Sequence, residues 1–474
     1  MAENKIKKIL INSSFAVASN LISLLVSTIV VLVLPKLIGV SSYGYWQLYL
    51  FYTSYVGFFH LGWIDGIYLK YGGMYYDDLE QDNFYSQFIS YFAFQSIIAL
   101  IVYFYGILFI NSIDKQFIFS MLALTLVLTN LRFFVIYILQ TTNRIKESST
   151  ITIFDRIVYA LLLVAIILLG SKNYKIMIYS DIIARIISLF YGVYICRDIL
   201  LKTLNHYKFD FLEIKDNIKI GSNLMISNVA SLLIIGSIRL GIERVWSIET
   251  FGKVSLSLSI SNLLMTFINA VGIVIFPMLK RINKDRLSSL YNSLRNILMI
   301  TVLSFLILYF PIKIILLQWL PNYKESLDYM TLIFPMAVFE TKMSLLLNTY
   351  LKALRMEKYI LRVNLITVFM SIILTITTTI IFKSLILAVL SIVILIALRC
   401  ILAEILISKV INIYVKKDMI LEVTMTVIFI ISGYFFPLTL AFTCYAISLI
   451  IYVLIKKGEV KQSLMYLKNL AKQR

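Results

Sequence analysis

The chain consists largely of apolar runs that are each long enough to cross a bilayer. A transmembrane helix needs about 20 mostly apolar residues, and hydropathy predicts fourteen such runs in the 474 residues. Because 60% of the residues are apolar, against roughly 45–50% in soluble domains, only short connections remain. An ordinary soluble domain is excluded, and an all-α polytopic membrane protein is predicted. The predicted spans are 9–34, 44–68, 85–108, 116–140, 151–170, 174–196, 222–242, 253–276, 294–318, 327–349, 362–382, 384–408, 421–437 and 440–456.

The basic residues are concentrated on one side of the predicted membrane. An even number of spans places both termini on the same side, and the loops of that side with the two tails hold 29 lysines and arginines, against 8 in the other loops. The positive-inside rule assigns the richer set to the cytoplasm. Lysines and arginines on the cytoplasmic side interact favourably with anionic lipid headgroups. This explains most of the net charge of +19 without a nucleic-acid partner. We therefore expect membrane lipids as partners, cytoplasmic termini and no nucleic acid.

Several kinds of chemistry find no support in the sequence. The three cysteines form no CxxC pair and there are only two histidines, so neither a disulfide scaffold nor a zinc site is predicted. A nucleotide-binding G-x-x-x-x-G-K-[ST] motif is also missing. The predicted outer loops are too short to hold the chemistry of a membrane glycan polymerase or ligase. We expect no metal, no cofactor and no enzymatic activity. The energy for transport is expected to come from an ion gradient, from the substrate gradient or from consumption of the product outside.

Two short matches indicate an internal repeat. Ser42-Tyr43-Gly44 and Thr250-Phe251-Gly252 lie 208 residues apart at the start of spans 2 and 8, and similar segments with basic residues end spans 4 and 10 at nearly the same offset. We predict an N-lobe of six spans (1–196), a cytoplasmic amphipathic linker (197–221), a pseudo-symmetric C-lobe of six spans (222–408), and two further spans with a basic tail (409–474). A substrate site is expected between such halves, near the midplane.

Certain segments resemble a known family. The stretch from Phe251-Gly252 through Ser261 to Phe276-Pro277, and the stretch from Phe334-Pro335 to Lys358, are similar to the polysaccharide-biosynthesis flippases. These are the Wzx-type exporters of the multidrug/oligosaccharidyl-lipid/polysaccharide superfamily, which has the MATE fold. The resemblance covers essentially the whole chain. It implies a two-lobed transporter of the bacterial plasma membrane that moves undecaprenyl-diphosphate-linked oligosaccharide from the inner to the outer leaflet by alternating access.

The chain also departs from this pattern. The family often has an Asp-Arg pair in span 7, whereas Arg239 stands here without an adjacent aspartate. Span 1 has no acidic residue between Ile9 and Leu34, although many drug antiporters of this fold couple to ions through an aspartate there. A MATE-like small-molecule antiporter is therefore the weaker alternative. A flippase for a peptidoglycan or teichoic-acid precursor stays open, and polysaccharide polymerase and export machinery are possible partners.

Cationic side chains within the spans are the candidates for binding a diphosphate. A charge at span centre costs about 2.5–3.5 kcal/mol, so it needs a cavity, a partner or a route to the interface. Arg185 is the deepest, and it either lines the cavity or pairs with Asp181 four residues earlier. Arg132, Arg399 and Arg156 line the cavity or snorkel to the surface. The full set of candidates is Arg185, Arg132, Arg399, Arg239, Lys342 and Arg156.

Acidic side chains within the spans are the candidates for coupling transport to H⁺ or Na⁺. Glu340 lies near mid-depth with no evident partner in sequence, and burial would raise its pKa into a usable range; pairing with a neighbouring helix is the alternative. Glu404 and Asp65 lie nearer the cytoplasmic ends of their spans. The candidates are Glu340, Asp181, Glu404 and Asp65. Pro311 and Pro335 are expected to kink spans 9 and 10.

Overall fold

A computed structural model of the chain describes residues 2–272 and 287–472. Throughout these residues the regular secondary structure is helical, and the helices are joined mostly by short turns. The chain divides into two compact units, residues 1–229 and 230–474, with the boundary inside one long helix. The predicted all-α class is confirmed. Part of the predicted eighth span and its basic loop, with Phe276, Pro277, Lys280, Arg281, Lys284 and Arg286, lie outside the described residues.

The first unit contains seven main helices and the start of an eighth. Its long central helix, α5, is mostly buried and packs against α2, α3, α4, α6 and α7, while the outer helices expose apolar side chains to the surroundings. The helices are α1 (Ala2–Ile38), α2 (Val40–Val56), α3 (Trp63–Lys70), α4 (Gln81–Phe109), α5 (Ile113–Thr141), α6 (Ile145–Leu168), α7 (Tyr174–Ile195), the short α8 (Arg197–Leu200) and α9 (Phe211–Val245), which continues into the second unit.

The second unit contains the remaining helices, several of which are interrupted. They are α10 (Ile248–Gly272), α11 (Leu287–Phe305), α12 (Tyr309–Trp319), α13 (Lys324–Ile333), α14 (Met336–Lys342), α15 (Asn348–Ala353), α16 (Glu357–Thr375), α17 (Leu385–Val410), α18 (Lys416–Phe435) and α19 (Leu438–Lys472). A π-helical segment, Met343–Leu347, joins α14 to α15, and another, Ile376–Ile381, follows α16. The helices α18 and α19 pack with α11 and α13 as part of this unit.

The described residues contain fewer long apolar helices than the fourteen predicted spans. Among the described residues, eleven helices have the length and apolar character to cross a membrane, and twelve if a bent pair counts as one span. The prediction of fourteen is therefore not confirmed. The second predicted span, 44–68, is divided into α2 and α3, which have 17 and 8 residues. Either helix is shorter than the roughly 20 residues that a bilayer requires.

The break between α2 and α3 is held by side chains of neighbouring helices. The chain turns through Leu61 and Gly62, which have φ values of 54° and 87°. The freed carbonyl of Val56 accepts a hydrogen bond from Asn130 Nδ2 at 3.0 Å, and that of Phe59 accepts one from Gln95 Nε2 at 3.2 Å. Non-helical backbone at membrane depth is tolerated only where such partners exist. Two buried amides on α4 and α5 thus make the interruption possible.

Proline interrupts the helices of the second unit as predicted. Pro335 separates α13 from α14, and the helical pair bends there by 46°. Pro311 lies in α12, directly after a turn of 3₁₀ helix at Leu306–Leu308. A proline cannot donate the backbone hydrogen bond of an α-helix and crowds the preceding turn. The kink at Pro335 is confirmed. At Pro311 the structure shows the 3₁₀ interruption, and a kink there stays a prediction.

Glycines bring α3 and the start of α9 into backbone contact. A Cβ atom added at Gly66 would lie 1.8 Å from the carbonyl oxygen of Asn217, and one added at Gly221 would lie 2.0 Å from the carbonyl oxygen of Gly62. Small residues permit such close helix crossings in membranes. Within the predicted linker, 197–221, residues 211–221 are helical, and this helical part lies against α3.

The close crossing predicts that alanine is harmful at position 66 and harmless at position 458, where no atom is near. Gly66→Ala is expected to destabilise the protein by more than the 1–3 kcal/mol typical of overpacking, about 3 kcal/mol or above, because the obstructing atoms belong to backbone. Gly458→Ala in α19 is the matched control, since a Cβ there meets nothing within 4 Å. Thermal unfolding in detergent, followed by circular dichroism, measures both. An unchanged melting temperature for Gly66→Ala would contradict the crossing.

Candidate functional site

The first unit holds Arg185 in a buried polar cluster between three helices. Arg185 Nε donates to Asp181 Oδ2 at 2.8 Å, and Arg185 Nη1 donates to Thr129 Oγ1 at 2.9 Å. The Tyr49 hydroxyl donates to the same Asp181 oxygen at 2.7 Å and lies 2.9 Å from Thr125 Oγ1. The pairing alternative considered for Arg185 is therefore what the structure contains. Asp181 is held by both an arginine and a tyrosine.

A second ion pair lies in the same unit, between α5 and α6. Arg132 Nη1 is 2.7 Å from Asp155 Oδ1, and both side chains are buried. Arg156 Nε lies 3.9 Å from the other carboxylate oxygen, and its side chain is 38% exposed. Arg132 is thus neutralised within the helix bundle and does not snorkel. Arg156 is the more accessible of these two candidates.

In the second unit, Arg399 and Glu340 are partners. Arg399 Nη1 lies 3.3 Å from both carboxylate oxygens of Glu340, and Arg399 Nε donates to Asn364 Oδ1 at 2.9 Å. Glu340 therefore has a charged partner that its sequence neighbourhood does not reveal. Arg399 is buried and makes this contact in place of snorkelling.

The most deeply buried charges of the second unit form a four-charge cluster of Arg295, Lys342, Glu404 and Glu422. Arg295 lies 2.7 Å from Glu404 and 2.8 Å from Glu422. Lys342 donates to Glu404 and, at 2.7 Å, to Glu422. All four side chains are at most 2% exposed. Two cations thus share two carboxylates, and the cluster is formally neutral.

The cluster continues toward the end of the bundle through Asp418. This carboxylate accepts hydrogen bonds from Arg295 and from Lys456, and Lys456 also donates to Glu459. The Tyr291 hydroxyl adds a further hydrogen bond to Glu404 at 3.0 Å. The helices α11, α14, α17, α18 and α19 are joined through these contacts. The last two helices, predicted to lie outside the repeat, are linked by charge to the second unit.

Sequence reasoning missed four members of this network. Arg295 and Lys456, at the ends of predicted spans, are among the 29 basic residues assigned above to the cytoplasmic side, but α11 begins at Leu287 and both side chains are 2% exposed. Asp418 and Glu422 were left out of the candidates. Their spacing of four residues places both carboxylates on one face of α18, which is the signal that identifies them.

Two other predicted residues have different surroundings. Arg239 Nη2 donates to Ser255 Oγ at 3.0 Å, and its guanidinium lies 5.2 Å from the centre of the Phe251 ring. Asp65 is buried in α3, directly after the break, with His60 Nε2 at 3.7 Å from its Oδ2. Asp65 thus differs from Asp181, Glu340 and Glu404, because its partner is a histidine instead of a permanently charged side chain.

The part of the chain that the structure describes brings no group of three or more histidine, cysteine, aspartate or glutamate side chains into an arrangement that could hold a metal ion. The buried sites consist of ion pairs and hydroxyls. The ion pairs can exchange one partner for a charged ligand. The carboxylates can bind protons, and the hydroxyls can form hydrogen bonds with a ligand.

The chain was compared with known proteins. The profile of a family described as "Polysaccharide biosynthesis protein" matches residues 76–318, just over half of the chain. The chain belongs to this family. The resemblance recognised in the sequence, to the polysaccharide branch of the multidrug/oligosaccharidyl-lipid/polysaccharide superfamily, is confirmed. No curated protein matches this chain significantly.

Solved structures show the fold of this family member. The lipid II flippase MurJ, in an inward closed conformation, is 12% identical with a TM-score of 0.64, and the match covers 95% of this chain and 99% of that chain. An inward-facing multidrug resistance transporter of the MATE family is 12% identical with a TM-score of 0.60, covering 81% and 96%. At such identities the likeness establishes the fold alone. The predicted MATE-like fold of a multi-pass membrane protein is confirmed.

The four-charge cluster predicts strong coupling between Lys342 and Glu422. Lys342→Met alone should cost about 3–5 kcal/mol because it leaves a buried carboxylate uncompensated. Adding Glu422→Gln should recover about 1–3 kcal/mol, the size expected for residues in one network. Unfolding of the purified protein in detergent by increasing SDS measures Lys342→Met, Glu422→Gln and the double variant.

The control for this cycle is the pair Lys253–Glu325, at 3.0 Å with an exposed glutamate. Its double-mutant cycle, with Lys253→Met and Glu325→Gln, should give almost no coupling because water screens the charges. Additive effects of Lys342→Met and Glu422→Gln would show that the two residues do not share one network.

Proposed function

We propose that this protein is a flippase that carries undecaprenyl-diphosphate-linked oligosaccharide repeat units from the inner to the outer leaflet of the bacterial plasma membrane, by alternating access. Membership of a polysaccharide biosynthesis family is the observation that carries the proposal. The transporter fold agrees with it. The product would serve capsule, exopolysaccharide or O-antigen assembly, with a polysaccharide polymerase and export machinery acting on it afterwards.

The orientation belongs to the same proposal. The basic residues of the termini and of the loops on their side favour cytoplasmic termini. Arg295 and Lys456 leave that count because they are buried, but the excess on this side remains large. The lipid-linked substrate would then enter from the leaflet where most of the cationic surface lies.

The substrate poses a charge problem that the first unit is suited to solve. A diphosphate cannot cross about 30 Å of hydrocarbon without cationic partners, and Arg185 is buried deep in the bundle with Thr129 beside it. In the structure its charge is taken up by Asp181. An entering diphosphate would compete with the Asp181 carboxylate for the guanidinium. Arg185 is thus proposed as a diphosphate-binding residue, with Asp181 as its partner in the absence of substrate.

Arg132, Arg156, Arg399, Arg239 and Lys342 are secondary candidates for the substrate. Arg156 is more exposed than Arg132 or Arg185, the other two candidates of the first unit. It would therefore meet the headgroup early. Lys342 is the weakest, since the neutral four-charge cluster satisfies it fully and leaves it 1% exposed. Glu404 is a weak candidate for ion coupling for the same reason, because Arg295 and Lys342 already balance its charge.

Asp65 is the strongest candidate for ion coupling. It is buried, it follows a broken helix, and its near neighbour is His60 at 3.7 Å. His60 is charged only when protonated, and its Nδ1 accepts a hydrogen bond from the Gly62 N–H at 2.9 Å. Asp65 could therefore take up or release a proton without breaking a pair with a permanent cation. Discontinuous helices frequently hold the coupling ion in transporters. We propose that proton or sodium binding at Asp65 drives transport.

A flippase for a peptidoglycan or teichoic-acid precursor is the second candidate. The match to the lipid II flippase extends over nearly all of both chains, and such substrates carry a similar polyprenyl diphosphate. The cationic residues proposed above would serve either cargo. A small-molecule antiporter of the MATE type is third, with the match to a multidrug transporter in its favour.

The role of Arg185 is tested by a variant that removes the charge without unbalancing the bundle. Asp181→Asn with Arg185→Gln deletes both charges but keeps hydrogen-bonding groups, so the protein should fold. Translocation of a labelled undecaprenyl-diphosphate oligosaccharide into liposomes should fall by about 100-fold or more, since losing a charged hydrogen-bonded partner costs roughly 2–5 kcal/mol.

The matched control is Lys253→Gln with Glu325→Gln, which neutralises an exposed pair in the other unit. It should translocate as the wild type does. Wild-type transport by the Asp181→Asn, Arg185→Gln variant would remove Arg185 as the binding residue. Transport of a cationic dye but no lipid-linked sugar by the wild-type protein would favour the antiporter.

Ion coupling predicts a specific defect for Asp65→Asn. This variant keeps the shape of the side chain but cannot take up a proton, so translocation should no longer respond to an imposed proton or sodium gradient. Downhill exchange without a gradient should persist. Asp328→Asn, at an exposed carboxylate paired with Lys313, is the control and should keep its gradient response. An Asp65→Asn protein that still responds would assign coupling to another residue.

A further inference from the structure

A polar cavity lies at one end of the second unit, where α11 and α18 begin and where α19 passes them. Its volume is about 540 Å³, against about 440 Å³ for a polar cavity of the first unit. This lies within the range of small-molecule sites, about 300–1,000 Å³. The lining comprises serine, asparagine, glutamine, tyrosine and three charged residues, with no aliphatic side chain among them.

The charges of the lining are largely cancelled. Asp418 accepts hydrogen bonds from Arg295 and Lys456, and Glu459 accepts one from Lys456. Lys417 contributes the remaining charge among the lining residues. A site for a metal or an organic cation would need free carboxylates, and a site for a phosphate would need several free cations. The cavity is therefore suited to a neutral ligand with many hydrogen-bonding groups.

The arrangement of donors and acceptors supports the same conclusion. Asn296 and Ser463 are buried at the cavity and are joined by a hydrogen bond of 3.3 Å. Within the residues that the structure describes, the buried Tyr466 hydroxyl has no hydrogen-bond partner. An unsatisfied buried hydroxyl costs about 1–3 kcal/mol, which a ligand can recover. Amide side chains both donate and accept, as paired sugar hydroxyls require.

An aromatic side chain completes the site. Tyr414, between α17 and α18, lines the cavity and is 75% exposed. Its ring offers an apolar face with a polar edge, which suits the alternating CH and OH groups of a sugar ring. An acyl chain would find no apolar lining here.

We propose that this cavity binds a neutral saccharide. The site is separate from Arg185 and from Asp65, which lie in the other unit, and it does not depend on the protein being a flippase. It would hold either a free oligosaccharide or the sugar portion of a glycolipid. Because Asp418 belongs both to the lining and to the buried charge network, occupancy would be felt by the helices that this network joins.

The test is equilibrium binding to the full-length protein in lipid nanodiscs. The probes are maltotetraose and N,N′,N″,N‴-tetraacetylchitotetraose as free saccharides, and monoglucosyl diacylglycerol as a glycolipid, with saturation-transfer NMR as the readout. At least one probe should bind. Asn292→Leu and Gln462→Leu, both at exposed lining positions, should each weaken binding by about tenfold, the effect of one lost hydrogen-bonding pair.

The matched control is Asn322→Leu, an exposed asparagine outside the cavity, which should bind as the wild type does. Competition between the free saccharides and the glycolipid separates the two sources of the ligand. Binding of a probe that is lost in both cavity variants but kept in Asn322→Leu supports the proposal, even in a protein that fails to translocate any lipid. The proposal is overturned if none of the probes binds, or if binding is unaffected by Asn292→Leu and Gln462→Leu.

Discussion

Charge neutralisation inside an apolar medium governs the interior of both units. Moving a charged side chain out of water is expensive, and attraction to a counter-charge offsets that cost only when the geometry is good. In the first unit this condition is met by Arg185 with Asp181 and by Arg132 with Asp155. In the second unit Arg295 and Lys342 meet it together, through two shared glutamates. The pair Arg132–Asp155 and the four-charge cluster join different helices directly. Arg185 and Asp181 lie on one helix and reach α2 and α5 through Tyr49 and Thr129.

The same constraint acts on the backbone. At the break between α2 and α3, carbonyl groups lose their helical partners, and Gln95 and Asn130 replace them. At Pro335 the chain bends, and the helix resumes at Met336. The two interruptions therefore have different origins: one is supported by side chains from other helices, and the other follows from the covalent structure of proline.

The sequence alone predicted the helical class, the family and most helix positions, because hydropathy over about 20 residues is a local property. Pro311 and Pro335 were predictable for the same reason. The break at Leu61–Gly62 was not, since the stretch 44–68 reads as one apolar run. Partners of charged residues were predictable only within a helix. Arg185 and Asp181 are four positions apart, whereas Glu340 and Arg399 are 59 apart, and no local pattern joins them. Arg295 was misplaced because a basic residue near the end of an apolar run resembles a loop residue.

The position of Asp418 and Glu422 in the penultimate helix has a consequence for how such proteins change over time. A terminal hairpin that only rested against its neighbours could be lost, shortened or exchanged with that of a relative at little cost. Here the hairpin supplies Glu422, so its removal would leave Arg295 and Lys342 with Glu404 as their one shared carboxylate in the cluster, and one positive charge would be uncompensated in hydrocarbon. Replacement of this hairpin would have to preserve an acidic residue at position 422, or remove one of the two cations in the same step.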